Sequence, residues 1–380
     1  MGICWGAPHY PTPSFTGYLR PGHESLVYSS STSSSYDEET RSLGGISVES
    51  VPNREIVPTH DVRVFTLAEL QEVTRNFWPD SLLGGGGFGR VFKGYLSGEG
   101  SSHGRGRIPI AVKKCHPESV QVVTEWKSEV TFLGSLSRPN IVRLLGYCSE
   151  EENRLLIYEY MSKDTLKNHL FRRGAREPLS WILRLKIAIG AAKGLAYLHQ
   201  LEDQIICRDF KPSNILPDRD FNAKISDFGL ATRVPADDRK HVSKQVLGTY
   251  GYTAPEYIAA GHLYAKSNVY SFGVVLLEIL TGKQPHDHSQ PSGKHFVVEW
   301  VRPYVSRRKL ARVVDPQLEG RYPLKAALKL AQLAFHCLQM DPESRPSMDE
   351  VLRKLEKIAT YKPIPGIVGP SSHNRSTRQG

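Results

Sequence analysis

Asp209, Lys211 and Asn214 stand within six residues of one another, and Asp227 follows thirteen residues after Asn214 in Asp227-Phe228-Gly229. Side chains so unlike in charge act together only if a fold gathers them into one crevice. Together they supply a proton acceptor, a counter-charge and two oxygen ligands for a hard cation. Phosphoryl transfer needs such a set. Asp-Phe-Gly alone is also a good turn, because Asp caps and Gly tolerates positive φ. Its spacing from Asn214 argues against a bare turn.

Two further pieces lie upstream in a fixed order. Gly84-Gly85-Gly86-Gly87-Phe88-Gly89-Arg90-Val91 satisfies G-x-G-x-x-G-x-V. Glycine lets backbone N–H groups approach phosphate oxygens with no Cβ in the way. A dinucleotide-binding turn would need a helix straight after its third glycine. Arg90-Val91-Phe92-Lys93 alternates like a strand instead, so a phosphate-covering hairpin is expected. Ile110-Ala111-Val112-Lys113 then ends an apolar strand on a lysine. Lys113 and Lys114 are adjacent and point to opposite faces, so only one enters the cleft. Lys113 is the expected phosphate contact. A cation buried there needs a partner. Glu129 on the following helix is the first candidate, and Glu125, one turn earlier, is the alternative.

The formal net charge is +10 over 380 residues. Residues 1–60 carry three basic and six acidic side chains, so the positive excess belongs mostly to the middle of the chain. No Arg/Lys stripe is interleaved with stacking aromatics, and no nucleic-acid partner is expected. The five cysteines (Cys4, Cys115, Cys148, Cys207, Cys337) are odd in number and widely spaced, which argues for a reducing compartment. No apolar run reaches the roughly 18 residues of a membrane span.

The hydrophobic pattern divides the chain. Residues 1–60 are rich in Ser, Pro and Gly and read as a disordered tail, as do residues 361–380. Met1-Gly2-Ile3-Cys4 is the exception within the first tail. Gly2 is a candidate for myristoylation and Cys4 for palmitoylation, which would attach the chain peripherally to a membrane. Gly6 stands where Ser or Thr is usual, and no basic cluster helps; a plain frayed terminus is the alternative. Residues 61–160 read as a small strand-rich lobe with one long helix at Val120–Leu133, preceded by a short helix within Phe65–Asn76. Strands are expected at Ile141–Cys148 and Leu155–Tyr160, and Ser97–Gly106 reads as a loop. Residues 161–360 read as a larger helical lobe. Its helices are expected after Ser180 and at Lys266–Leu280, Val297–Val305, Leu324–Met340 and Met348–Ile358. The expected fold class is α+β.

The ordered motifs resemble those of the eukaryotic protein kinases, and most closely the plant receptor-like cytoplasmic serine/threonine kinases. Phe65-Thr66-Leu67-Ala68-Glu69-Leu70, Arg208-Asp209-Phe210-Lys211, Gly248-Thr249-Tyr250-Gly251-Tyr252, Ala254-Pro255-Glu256 and Asp341-Pro342-Glu343-Ser344-Arg345-Pro346 carry the likeness. It spans about residues 62–360. The resemblance implies a bilobal protein kinase fold, with a small antiparallel sheet and one long helix in the first lobe. It implies ATP and Mg²⁺ as cofactors and a protein Ser/Thr hydroxyl as acceptor. Asp209 and Lys211 would be catalytic, and Asn214 and Asp227 would hold the metal. Leu83, Gly84, Gly85, Gly86, Gly87, Phe88, Gly89, Val91, Ala111, Lys113 and Glu129 would surround the nucleotide. Tyr158 resembles the gatekeeper, and Glu159 to Met161 the adenine-binding hinge. Glu256 and Arg345 resemble a buried ion pair. Arg208 would receive an activating phosphate, with Ser243 as its first donor and Thr249 its second. The likeness also implies a place at the cytoplasmic side of the plasma membrane or in the cytoplasm, below a membrane receptor kinase in immune or growth signalling.

Four positions depart from the family pattern: Cys207 for His or Tyr, Pro217 for Leu, Lys244 for Thr and Asn268 for Asp. Proline at 217 is expected to fray a short hairpin. Asn268 is expected to weaken the catalytic loop, since neutral bonds replace charge-assisted ones. Cys207, Pro217 and Asn268 motivate an alternative reading, a weakly active kinase-fold scaffold.

Overall fold

The computed structural model describes residues 62–97, 106–116, 120–171, 177–235, 241–286 and 295–362. The expected terminal tails, with Gly2 and Cys4, and most of the loop expected at 97–106 lie outside the described residues.

The first part is built on a six-stranded sheet. Its strands are β1 (Arg63–Val64), β2 (Leu82–Gly86), β3 (Gly89–Ser97), β4 (Arg107–Cys115), β5 (Leu144–Glu150) and β6 (Asn153–Glu159), in the order β1-β5-β6-β4-β3-β2. Five strands pair antiparallel, but β1 runs parallel to β5, so the sheet is not purely antiparallel as expected. Gly146 makes room for β1: a Cβ there would sit 2.3 Å from the Arg63 carbonyl oxygen. A glycine inside a strand marks such a close backbone approach.

The sheet has two different faces. Helix α1 (Leu67–Thr74) covers the outer one, where Phe65, Leu70, Ile110, Val112, Leu155 and Ile157 form a separate small core. The α1 start is a capping box: the Thr66 hydroxyl accepts from Glu69 N, and the Glu69 carboxylate accepts from Thr66 N at 2.8 Å. Helix α2 (Val120–Leu133) covers the inner face with Trp126, Val130 and Leu133. Each such fully buried side chain contributes about 1.5–3 kcal/mol relative to exposure. The inner core runs on into the helical part without a break. Strand β5 starts later than expected because Ile141 and Val142 leave the sheet; Ile141 bridges to Ile225 and Val142 N donates to its carbonyl.

The second part holds α3 (Leu166–Phe171), α4 (Trp181–His199), α5 (Pro255–Ala260), α6 (Ala265–Thr281), α7 (Val297–Val301), α8 (Leu324–Cys337) and α9 (Met348–Ala359). Ser180 caps α4 as expected. Helix α7 is shorter than expected, and its last turn tightens to 3₁₀ at Arg302–Tyr304, where Pro303 has no N–H to give. Helix α6 is buried almost throughout and forms the axis of this part. Among the described residues, no helix is long and apolar enough to cross a membrane.

Three two-stranded sheets lie around α4 and α6: β7 (Asp203–Ile206) with β10 (Thr232–Pro235), β8 (Ile215–Pro217) with β9 (Ala223–Ile225), and β11 (Val242–Ser243) with β12 (His262–Leu263). The β8–β9 hairpin stays closed through Pro217, which pairs with Ala223. Asp218 closes its turn by accepting from Asp220 N and Asn222 N, both at 2.8 Å. The fraying expected from Pro217 is therefore not seen.

Candidate active site

Strand parity places the cleft residues. In β3 and β4, Val91 pairs with Lys113, and Ala111 pairs with Tyr158 of β6. Paired residues share a face, so Val91, Ala111, Lys113 and Tyr158 all look inward. Lys114 goes outward and lies over the Phe77 ring at 4.6 Å. Between β2 and β3 the glycine-rich turn carries Gly87 and Phe88. Gly84 and Gly86 have open space where a Cβ would be. Gly89 (φ +153°) is the one that must be glycine, because a Cβ would sit 2.4 Å from the Lys114 carbonyl. A strand follows it, as the hairpin reading required. Leu83 is exposed at the edge of this turn.

The choice between Glu129 and Glu125 is resolved by distance. Lys113 Nζ donates to Glu129 Oε1 at 2.5 Å and lies 3.7 Å from Asp227 Oδ1. Burial opposes the Lys113 ammonium, but the charges of Glu129 and Asp227 outweigh it and hold the group protonated well above its ordinary range. Tyr158 donates its hydroxyl to the other Glu129 oxygen. Burial, with the Glu129 charge beside it, pushes this phenol well up, so it remains a donor. Motif reading did not supply this bond; Tyr158 sits opposite Ala111 in the strand register, which points it at α2. Ser128 Oγ, next to Glu129, donates to the Phe228 carbonyl at 3.0 Å, and Phe228 is fully buried.

Glu125 sits behind Gly229, whose Cβ, if present, would meet the Glu125 side chain at 3.1 Å. Burial pushes its carboxyl up to about 7 from 4.5, helped by Asp227 and Glu129 and opposed by a bond from Gln121. A carboxyl raised on folding favours the protonated state, so the stability it brings is present at low pH and lost as pH rises from 4.5 towards 7. Glu125→Gln is expected to melt above the parent protein at pH 8 and level with it near pH 5 in a calorimetric scan.

The end of β6 carries its own anchor. Glu159 turns its carboxylate away from the cleft, to Lys224 Nζ (2.7 Å) and to Arg143 N (2.8 Å). This leaves its backbone and that of the half-buried Met161 along the cleft edge.

On the opposite wall the loop after β7 brings Asp209, Lys211 and Asn214 together. Lys211 Nζ is 2.9 Å from Asp209 Oδ2 and donates to Thr249 Oγ1 at 2.7 Å; Thr249 donates in turn to Asp209 Oδ1 at 2.5 Å. Thr249 is buried with its hydroxyl fully engaged, whereas Ser243 is exposed. Asn214 Nδ2 donates to the Asp209 carbonyl (2.9 Å), which leaves its side-chain oxygen as an acceptor. Ser226 N, next to Asp227, donates to the Asn214 carbonyl at 2.9 Å. Bonds to the main chain thus tie Asn214 to Asp209 and to residue 226, and the next residue, Asp227, reaches Lys113 at 3.7 Å.

Asn268 bonds the loop both as acceptor and as donor. Its Oδ1 accepts from Cys207 N at 3.0 Å, and its Nδ2 donates to Cys207 O at 2.6 Å. The amide grips the catalytic loop in both directions, and a carboxylate cannot make the second bond. Asn268→Asp would set an anionic oxygen against the Cys207 carbonyl. It is expected to cost about 1–3 kcal/mol of stability and to give no gain in turnover, as read by denaturant titration and an activity assay. Cys207 is buried, and burial, then Asp227, pushes its thiol up to about 12. Arg208 donates to the Leu230 carbonyl (2.6 Å) and lies 3.4 Å from the Tyr257 hydroxyl. Further down, Arg345 holds Glu256 through both carboxylate oxygens at 2.8 and 2.7 Å.

Comparison with known proteins agrees with this arrangement. The family described as protein tyrosine and serine/threonine kinase matches residues 79–355. Among similar proteins, probable serine/threonine-protein kinase PBL3 of Arabidopsis thaliana is 52% identical over 97% of this chain and 88% of its own. Receptor-like cytoplasmic kinase 176 of Oryza sativa subsp. japonica is 48% identical, covering 95% and 91%. Serine/threonine-protein kinase BIK1 of Arabidopsis thaliana is 50% identical, covering 83% and 81%. With its sheet above a helical part and the Lys113–Glu129 pair closed over Asp227, the chain belongs to the protein kinase family, among the plant receptor-like cytoplasmic serine/threonine kinases.

Proposed function

We propose that the cleft transfers the γ-phosphoryl group of ATP to a serine or threonine hydroxyl of another protein, with the residues above in defined roles. The observations that carry these roles are the Lys211–Thr249–Asp209 cluster and the approach of Asp227 to the Lys113–Glu129 pair. Asp209 orients the acceptor hydroxyl and takes its proton. Lys211 stands beside it and offsets charge on the transferred group. Lys113, fixed by Glu129, steadies the ATP phosphates under the backbone of Gly84 to Gly89. Leu83, Val91 and Ala111 cover the base, and the backbone of Glu159 to Met161 borders it. Most of the rate enhancement then comes from positioning and preorganised charge.

Asn214 Oδ1 and the Asp227 carboxylate are hard oxygen donors on neighbouring strands' ends, and they fit a divalent cation of the Mg²⁺ type. Such an ion neutralises phosphate charge when bound. The departures that motivated the scaffold reading weigh little against this: Asn268 clamps the loop, Pro217 is accommodated in its hairpin, and Cys207 packs as an uncharged thiol.

Purified protein given γ-labelled ATP and a protein acceptor tests the reading. Label on serine or threonine is expected. Equal incorporation by Lys113→Met and Asp209→Asn preparations would reject it.

The regulatory and cellular reading is also a proposal. Ser243, exposed on the segment between Asp227 and Glu256, takes an activating phosphate, and the chain works below a membrane receptor kinase at the cytoplasmic side of the plasma membrane, in immune or growth signalling. The support is the printed name of a relative, a receptor-like cytoplasmic kinase. Gly2 and Cys4 are the acylation sites in this reading; a mass spectrum of the N-terminal peptide from plant-expressed protein, with no added acyl chain, would remove it.

A further inference from the structure

The β11–β12 pair clips the segment carrying Ser243 to the large part of the protein. Register fixes its two faces: Val242 pairs with Leu263, and Ser243 with His262. The Val242–Leu263 face packs on Ile206, Val234 and Tyr257. Ser243, His262 and, two residues back, His241 therefore share the opposite face. Ser243 and His241 are exposed, and His262 is half-buried. The two imidazoles lie against each other at a tilt, with ring centroids 3.8 Å apart and planes at 33°. The Tyr264 hydroxyl lies 3.4 Å from His241 Nδ1 and sets that ring's orientation. Lys244 N donates to the Gly261 carbonyl at 3.0 Å and extends the clip by one rung.

We propose that the exposed face of this clip is a receiving site for a phosphomonoester on Ser243, with the His262 and His241 rings as its donors. This deepens the regulatory reading of Ser243 given above and assigns the phosphate a different partner from Arg208. Side chains directly opposite in an antiparallel pair have Cβ atoms only about 4.5–5.5 Å apart, so a phosphate on Ser243 Oγ stands beside His262 without any rearrangement. Arg208 touches Tyr257, which lies under the buried face, and Ser243 points away from that side. Phosphorylation replaces the Oγ–H bond by Oγ–P; ATP supplies the phosphoryl group and leaves as ADP, and the hydroxyl proton goes to solvent. The product carries three acceptor oxygens and nearly two negative charges, which the two imidazole N–H donors can meet. The two rings then hold an anion between them, and the segment is fixed more firmly to His262–Leu263.

The other ionisable groups on the elements packed here are few among the described residues. Lys244 follows Ser243 but alternates to the other face. Tyr264 faces His241. On α5, Glu256 is bound to Arg345, and Tyr257 donates to the Gln245 carbonyl at 2.6 Å. On α6, Lys266 donates to the Arg345 carbonyl.

Phosphoserine is introduced at position 243 of the full chain by genetic encoding, so the readout does not need the chain's own activity. Failure of the transfer assay and failure of this site are then separate results. The ³¹P resonance is followed against pH. Free phosphoserine loses its second proton near pH 6; here the loss is expected about one pH unit lower, a tenfold gain in acidity. His241→Gln with His262→Gln removes the difference, and Lys244→Gln keeps it. If the double exchange disturbs the clip, His241→Gln alone still lowers the effect while amide exchange at Val242 and Leu263 stays slow. A phosphate that titrates like free phosphoserine overturns the proposal. So does a difference that survives the double exchange and disappears with Arg208→Gln.

Discussion

Asp209→Asn is expected to lower phosphoryl transfer by about 10²–10⁴-fold, the usual contribution of a positioned general base. The parent carboxylate uses one oxygen to accept from Thr249 and sets the other 2.9 Å from the Lys211 ammonium. An amide keeps one acceptor oxygen but places an NH₂ where the second was. If that NH₂ faces Lys211, two donors oppose each other; if it faces Thr249, the hydroxyl loses its acceptor. In either orientation no atom is basic enough to take the acceptor proton. The loss should fall on kcat, with KM for ATP nearly unchanged, because Asp209 lies across the cleft from Lys113. Steady-state rates on one protein acceptor check this, and a loss below about threefold would remove Asp209 from the mechanism.

Lys113→Met is expected to abolish transfer and, separately, to destabilise the fold. Glu129 is only 1% exposed, and its two oxygens are held by Lys113 and Tyr158. Removing the ammonium leaves a buried carboxylate with one neutral donor, a loss of about 3–5 kcal/mol when one partner of a buried pair is deleted. The two effects come apart in a second variant. Lys113→Met with Glu129→Gln removes both charges, keeps an acceptor for Tyr158, and should recover most of the melting temperature and none of the activity. The non-additivity measures the pair. A double variant no more stable than the single one would show that the ion pair is not what the single exchange disrupts.

Much of the architecture was legible because periodicity and caps agreed. Val120–Leu133 has the same bounds in the sequence pattern and in the structure, and Thr66 with Glu69 signalled the start of α1. Less legible were elements too short to show a period. The two-residue strands β1, β11 and β12 and the six-residue helices α3 and α5 carry no pattern of their own and exist because the surrounding packing holds them. The cleft residues could be named from spacing, since Asp209, Asn214 and Asp227 come in fixed order. Their partners were legible only in part. Glu129 was the first candidate and Glu125 the alternative, and the angle at which α2 meets the sheet brings Glu129 to Lys113. The expectation for Asn268 left out one bond for a related reason. It counted acceptors lost by replacing a carboxylate, but the amide also donates, and a carbonyl lies in front of it.

The Asn268 clamp has a consequence for which residues this loop tolerates. Its two bonds to the loop end on main-chain atoms of residue 207, and those atoms are the same whatever amino acid carries them. The loop is therefore gripped without reference to the identity of the side chain at 207. That side chain answers only to the space around it, so a cysteine can stand here with the grip on the backbone unchanged.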